Sequence, residues 1–350
     1  MKYCFAFLLF FQSCSVAGLI VDIPLGFSAS EDGLVGRSGF TANANFAGAD
    51  ADLVAGSLRY IDSAGNALNA TGSTILVDSH EEAGTVSNIR PLSLASVTGN
   101  TLWLSFVGKQ TNGGTDHFFG LSLRGPDNTI QPPDTGTGMD EFLSIGMPSG
   151  TLLTQDIVKQ WRIWDRSTNG AGWNYALSTT PTTGMTFVLV KIELNADGVK
   201  ERYTMWTNPR LDQAPDPAAG VSFVSSDSDF SAWSQITELR VAAGWNVDPQ
   251  LASAWMVDEI RISETMAEVM PFTRFEITNV TPGPNGGISL TWRAGANMTE
   301  AVQWSTNLID WFTYNDSIRT NPNSSALATW ETPPMGATAR FHRVIRLPAP

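Results

Sequence analysis

Apolar and polar positions along this chain alternate in short runs, and long stretches with helical spacing are almost absent. "TLWLSFVG" (101–108), "HFFGLSLRG" (117–125), "TFVLVKIEL" (186–194) and "ERYTMW" (201–206) are rich in Val, Ile, Phe and Trp. Gly, Asn, Asp, Ser and Thr break the pattern roughly every ten residues, the spacing of strands in an all-β sandwich or barrel. One hairpin is well defined, because Asp197-Gly198 stands between the alternating runs of 186–206 and supplies the backbone freedom a tight turn needs. Further on, "FEITNV" leads through "PGPNGG" (282–287) into "ISLTWRA", "EAVQWST", "WFTYN", "ALATWE" and "RFHRVIRL". This second set fits a small immunoglobulin-like sandwich.

"WMVDEIRIS" (255–263) places two adjacent carboxylates inside an apolar run. Read as an uninterrupted strand, it turns residues 255, 257, 259, 261 and 263 one way and 256, 258, 260 and 262 the other. Met256, Ile260 and Ile262 then form an apolar side interrupted by Asp258, and Glu259 and Arg261 a charge pair opposite. Asp258 and Glu259 would face away from each other and could not share one substrate.

The N-terminus breaks the pattern. Tyr3 to Phe11 carry no charge after Lys2, and Ser15-Val16-Ala17 puts small residues at −3 and −1 of a cut before Gly18. One cation, a short apolar core and this exit predict a secretory signal peptide over residues 1–17. The core is shorter than the roughly 20 residues a membrane-crossing helix needs. Cys4 and Cys14, the two cysteines, both fall here, so cleavage leaves no thiol and no disulfide, and a chain of this length can bury enough core without one. Cys14 is also a candidate for lipoprotein acylation, although Phe11-Gln12-Ser13 fits poorly the Leu-small-small triplet expected before it. The expected location is secreted or cell-surface, with periplasmic or outer-membrane-associated placement left open.

The net charge of −13 argues against nucleic acid as a partner. It is unevenly spread: residues 18–271 hold 14 cations and 29 acids, and residues 272–350 hold six and five. That break predicts two modules, 18–271 and 272–350, with separate surfaces.

In order, "AGSLRYIDSAGNAL", "TLWLSFVGKQTNGGTDHFFGLSLRG", "DEFLSIGMPSG", "TFVLVKIELNADGVKERYTMWTNP" and "WMVDEIRISETMAEVMP" resemble the concanavalin A-like (laminin G-like) jelly-roll domains of exported bacterial proteins. The likeness covers residues 25–271 and lies in the succession of motifs. "EAVQWSTNLIDWF" and "ARFHRV" are similar to fibronectin-III-like C-terminal modules, which implies a spacer or accessory role for 272–350. The resemblance implies a jelly-roll β-sandwich followed by an immunoglobulin-like β-sandwich.

Jelly rolls of this kind include glycoside hydrolases and lyases. A retaining glycosidase needs two carboxylates about 5 Å apart, which jelly-roll hydrolases place by Glu-x-Asp-x-x-Glu on one strand; no such string occurs. Asp140-Glu141 and Asp258-Glu259 are adjacent pairs that alternation separates. "ITELRV" (236–241) is superficially similar to the Arg-x-Glu-x-Arg strand of alginate lyases, but Ile236 replaces the first Arg and the partner His and Tyr motifs are missing. Among His80, His117 and His342, "HEEAG" (80–84) lacks the second His of a zinc-protease helix, and Gly-x-Ser-x-Gly is absent. The sequence names no catalytic residue and no metal ligand. Asn195-x-Asp197-Gly198 resembles a fragment of a calcium loop without its other acidic ligands, so no cofactor is expected and a structural calcium has no motif behind it.

Aromatic residues are the stronger lead. "WRIWDRSTNGAGWNYAL" (161–177) groups rings around a polar Asn-Gly turn. Exposed rings stack on sugars while Asp and Asn bind hydroxyls, which makes Trp161, Trp164, Asp165, Trp173, Asn174 and Tyr175 the candidate ligand-binding residues. With 12 Trp in the chain, the same rings suit the core at least as well. Trp161 and Trp164 are three apart, so in a strand only one of them faces inward. The expected protein is exported, non-catalytic, and recognises an extracellular glycan or another surface component. A structural or adhesive envelope protein with protein partners, and an atypical polysaccharide-active enzyme, are the alternatives. Nothing in the sequence fixes an oligomeric state.

Overall fold

The computed structural model describes residues 19–23, 33–35, 38–42, 50–70, 72–78, 86–111, 117–125, 141–147, 159–166, 173–196, 200–225, 232–245, 254–273, 276–283, 286–294, 299–320, 326–333 and 340–347. The leader segment 1–17, His80, Asp140 and the Asp197-Gly198 turn lie outside them. In chain order the strands are β1 (Val21–Ile23), β2 (Thr41–Ala42), β3 (Asp52–Ala55), β4 (Ala67–Leu68), β5 (Ser73–Asp78), β6 (Val86–Pro91), β7 (Thr101–Gln110), β8 (His117–Arg124) and β9 (Glu141–Met147). They continue with β10 (Gln160–Arg166), β11 (Trp173–Pro181), β12 (Thr186–Glu193), β13 (Arg202–Thr207), β14 (Val221–Val224), β15 (Glu238–Trp245), β16 (Ala254–Ser263) and β17 (Phe272–Thr273). A short helix, α1 (Met266–Val269), precedes β17. The predicted hairpin is β12–β13, in register from Val188↔Thr207 to Glu193↔Arg202.

Two antiparallel sheets make the larger body. One has the order β14-β13-β12-β7-β16-β5-β3, with β1 also pairing β16, and the other β11-β10-β9-β8-β15-β6-β2. Strands distant in sequence lie side by side, as in β7 beside β16 and β8 beside β15, and the result is a concanavalin A-like jelly-roll β-sandwich. Period-two alternation fills the space between the sheets. Leu102, Leu104 and Phe106 of β7, Val188, Val190 and Ile192 of β12, and Leu121 and Leu123 of β8 are all buried there. Trp255 stacks on Phe119 at 4.7 Å and meets Trp161 edge-on at 5.8 Å. Each such side chain contributes roughly 1.5–3 kcal/mol on burial.

The eight-stranded sheet is covered on its other face as well. Val107, Phe187, Leu189 and Trp206 pack with Leu58, Tyr60, Leu211 and Val269 in a second cluster. A strand buried on both faces needs apolar residues at consecutive positions, which is why "TFVLVKIEL" reads as a nearly unbroken run.

The smaller body comprises β18 (Ile277–Pro282), β19 (Ile288–Ala294), β20 (Thr299–Ser305), β21 (Phe312–Thr313), β22 (Arg319–Thr320), β23 (Ala326–Glu331) and β24 (Phe341–Arg346). One sheet has the order β18-β19-β23, and in the other β20 pairs with β21, β22 and β24. Leu290, Trp292, Val302, Ala328, Trp330 and Val344 close a core of their own, and the Trp292 indole donates to Glu300 Oε2 at 2.6 Å. This is a small immunoglobulin-like β-sandwich. Gly286, at φ +77, turns the chain between β18 and β19. Between the two sandwiches, β17 pairs with β4 through Phe272↔Leu68 and Thr273↔Ala67.

Candidate functional site

β10 and β11 carry the six candidate residues, in register Trp164↔Tyr175, Asp165↔Asn174 and Arg166↔Trp173. Alternation divides them between two faces. Trp161 points inward, fully buried and edge-on to Phe106 at 5.5 Å; it is a core ring, which corrects its place among the ligand-binding residues. Asp165 shares that side and is 1% exposed, with Asn174 half-buried across from it. Trp164 points outward but is itself buried. Tyr175, its neighbour across the ladder, is 48% exposed. Trp173 belongs to β11, and its side chain lies outside the described residues.

The face shared by Trp164 and Tyr175 carries residues that the sequence reading passed over. Arg162 of β10, Arg124 of β8 and Arg240 of β15 all stand on it, buried. Across the sheet, Arg240, Ser122, Ser144, Trp164 and Tyr175 form one ladder row, and Ala242, Gly120, Gly146, Arg162 and Leu177 the next. The Ser122 and Ser144 hydroxyls are 2.8 Å apart, Arg240 Nε donates to Ser87 Oγ at 2.9 Å, and Arg124 donates to Glu238 Oε2 at 3.3 Å. Arg162 differs from its neighbours in making no hydrogen bond or ion pair through its side chain among the described residues. Its guanidinium lies 5.9 Å from the Tyr175 ring centroid, and its Nε has no hydrogen-bond partner. Among the described residues no carboxylate pairs with it. Burial lowers its pKa, and the nearby Tyr175 partly opposes that shift. The signal was present in "WRIWDR", where the alternation that sends Trp161 inward sends Arg162 outward beside Trp164.

The acidic pair of β16 departs from its expected geometry. A β-bulge lies between Asp258 and Arg261 opposite β7, and Glu259 adopts φ +54. One extra residue shifts the alternation. Trp255, Val257, Ile260 and Ile262 face the main core, while Asp258, Glu259 and Arg261 share the other side. Both carboxylates therefore converge on Ser57, whose Oγ is 2.5 Å from Asp258 Oδ2 and 3.2 Å from Glu259 Oε1. Asp258 also accepts from the Leu58 and Glu259 backbone N–H groups at 2.7 and 2.8 Å. Glu259 pairs with Arg261, which donates to the Asn69 carbonyl at 2.9 Å and lies 3.5 Å from Asp22. Burial, reinforced by the charge of Glu259, pushes Asp258 up to about 7. Both carboxylates are fully buried, so the cluster anchors residues 57–58 and 69 to the sheet and offers nothing to a substrate.

On the same side of the sandwich, Asn69, Leu211, Asp212, Met266, Met270 and Phe272 line a groove of about 520 Å³. Its carboxylate, Asp212, is held by Arg210 at 2.8 Å. Among the described residues no group of three or more His, Cys, Asp or Glu could hold a metal ion, and no helix is long and apolar enough to cross a membrane.

No protein-family model matches the sequence, and no curated protein matches it. Among solved structures, the chain is similar to the Emp47p carbohydrate recognition domain at 9% identity and TM-score 0.39, over 69% of this chain and 100% of that one. It is also similar to endo-1,3-beta-glucanase from Streptomyces sioyaensis, at 9% identity and TM-score 0.41, over 70% and 95% of the two chains. The winged bean acidic lectin, at 10% identity and TM-score 0.34, is covered over 98% of its length by 73% of this chain.

Proposed function

We propose that this is an exported, non-catalytic protein that recognises an extracellular glycan on the outer face of its seven-stranded sheet. The observation that carries the reading is Tyr175, a half-exposed ring beside Trp164 and against the Arg162 guanidinium. Such a ring offers the apolar face of a sugar a stacking surface, and the adjoining Arg162 guanidinium a polar partner. Export through the segment 1–17 and a fibronectin-III-like accessory role for 272–350 complete the proposal.

One observation favours an adhesive role instead. Eight of the twelve large apolar side chains exposed among the described residues, from Ile277 to Phe341, belong to the smaller body. A panel of oligosaccharides probed with the mature protein separates the two. A bound glycan whose affinity falls about tenfold in Tyr175→Ala supports recognition on this face. A panel without a binder, or binding indifferent to Tyr175→Ala, refutes it.

A further inference from the structure

We infer that the glycan recognised on this face is anionic, and that Arg162 receives a carboxylate of a uronic acid. This rests on the glycan reading above and adds the chemical class of the ligand. A buried cation is costly unless an anion or a full set of hydrogen bonds replaces its water. The fold meets that requirement with carboxylates at two other buried arginines: Glu259 and Asp22 attend Arg261, and Glu238 attends Arg124. Arg162 is only 6% exposed, yet it has no carboxylate partner among the described residues, and its Nε is unpartnered. A guanidinium presents five N–H donors in a planar fork matched to two oxygens of one carboxylate. A sugar hydroxyl would satisfy a donor but leave the charge uncompensated.

The surroundings suit such a ligand. In the ladder row of Arg162, Ala242, Gly120 and Gly146 on one side add no side chain larger than a methyl group, and Leu177 stands on the other. In the adjoining row, Tyr175 supplies a ring for the sugar that bears the carboxylate. The net −15 of residues 18–271 opposes an anion at long range, but a Debye length of about 8 Å at physiological salt screens distant charges far more than a contact pair.

The test compares free uronate oligosaccharides, their methyl esters, sulfated oligosaccharides and neutral oligosaccharides as ligands. The proteins are the parent, Tyr175→Ala, Arg162→Lys and Arg162→Gln. The parent should bind the free uronates, and esterification or Arg162→Gln should each weaken binding by roughly ten- to a hundredfold. Arg162→Lys should recover only part of the loss, since it restores charge without the fork. The melting temperature of Arg162→Gln should hold or rise, because an unpaired buried cation has been removed; a purely structural arginine would lower it. Equal binding of free and esterified uronates overturns the proposal on the parent protein alone. Neutral glycans bound through Tyr175 but not Arg162 would overturn the charge and leave glycan recognition standing. Preference for the sulfated series would overturn the carboxylate, and a panel with no binder would remove both readings.

Discussion

Trp161 and Tyr175 sit on paired strands but on opposite faces of one sheet, and truncation should separate them. Trp161→Ala empties part of the core and should cost about 3–5 kcal/mol, whereas Tyr175→Ala, at a half-exposed ring, should cost less than about 1 kcal/mol. Denaturant midpoints of the two variants measure the difference. Asp258 makes a second residue-scale prediction. Its folded pKa of about 7 lies above the value near 3.9 of an unfolded aspartate, so between these values the folded chain holds a proton that the unfolded chain has released. The stabilisation is complete below about pH 4 and is lost as pH rises through about 7. Asp258→Asn should flatten that decline, which melting temperatures from pH 4 to 8 would reveal; an unchanged slope would place the proton elsewhere. Of these residues, the inward turn of Trp161 was one of two uses its sequence allowed. The isolation of Arg162 was not legible, because a missing partner is a property of three-dimensional neighbours and not of spacing.

Strands are the level at which the chain spoke most plainly. "ISLTWRA" and "ALATWE" match β19 and β23 residue for residue, since side chains that alternate every second position leave a mark in composition. The bulge in β16 left no such mark. It adds one residue without altering local chemistry, and so the two carboxylates of "WMVDEIRIS" moved onto one face unannounced. β9 holds a related constraint. Gly146 has φ +148, and a Cβ there would lie 2.2 Å from the Phe119 carbonyl oxygen, a backbone atom of β8 that cannot step aside. Gly146→Ala should therefore cost roughly 2 kcal/mol or more. Gly184→Ala, where a Cβ meets nothing within 4 Å, should stay within about 0.5 kcal/mol. Thermal melts of the pair check this, and equal shifts would show that β9 yields.

At the scale of the whole molecule, the shift in charge near residue 271 was visible in the sequence, while the pairing of β17 with β4 was not, because two-residue strands carry too little pattern. Among the described residues, the smaller body's core cluster runs from Leu290 to Val344 with Ile288 and Tyr314 packed against it, which favours autonomous folding. Residues 272–350 expressed alone should give a dispersed amide NMR spectrum; a collapsed one would mean that contacts with the larger body are required.

The strand order has a consequence in time. β15 and β16 are the last strands of their sheets in chain order, yet both are interior: β15 joins β8 to β6, and β16 joins β7 to β5. A chain emerging from its N-terminus thus holds half-sheets with unpaired inner edges, those flanking β15 until residue 245 is out and those flanking β16 until residue 263 is out. Such edges invite association with other chains. The larger body can only close late and nearly all at once, after most of its residues have waited exposed, and whatever receives the nascent chain must keep those edges apart until then.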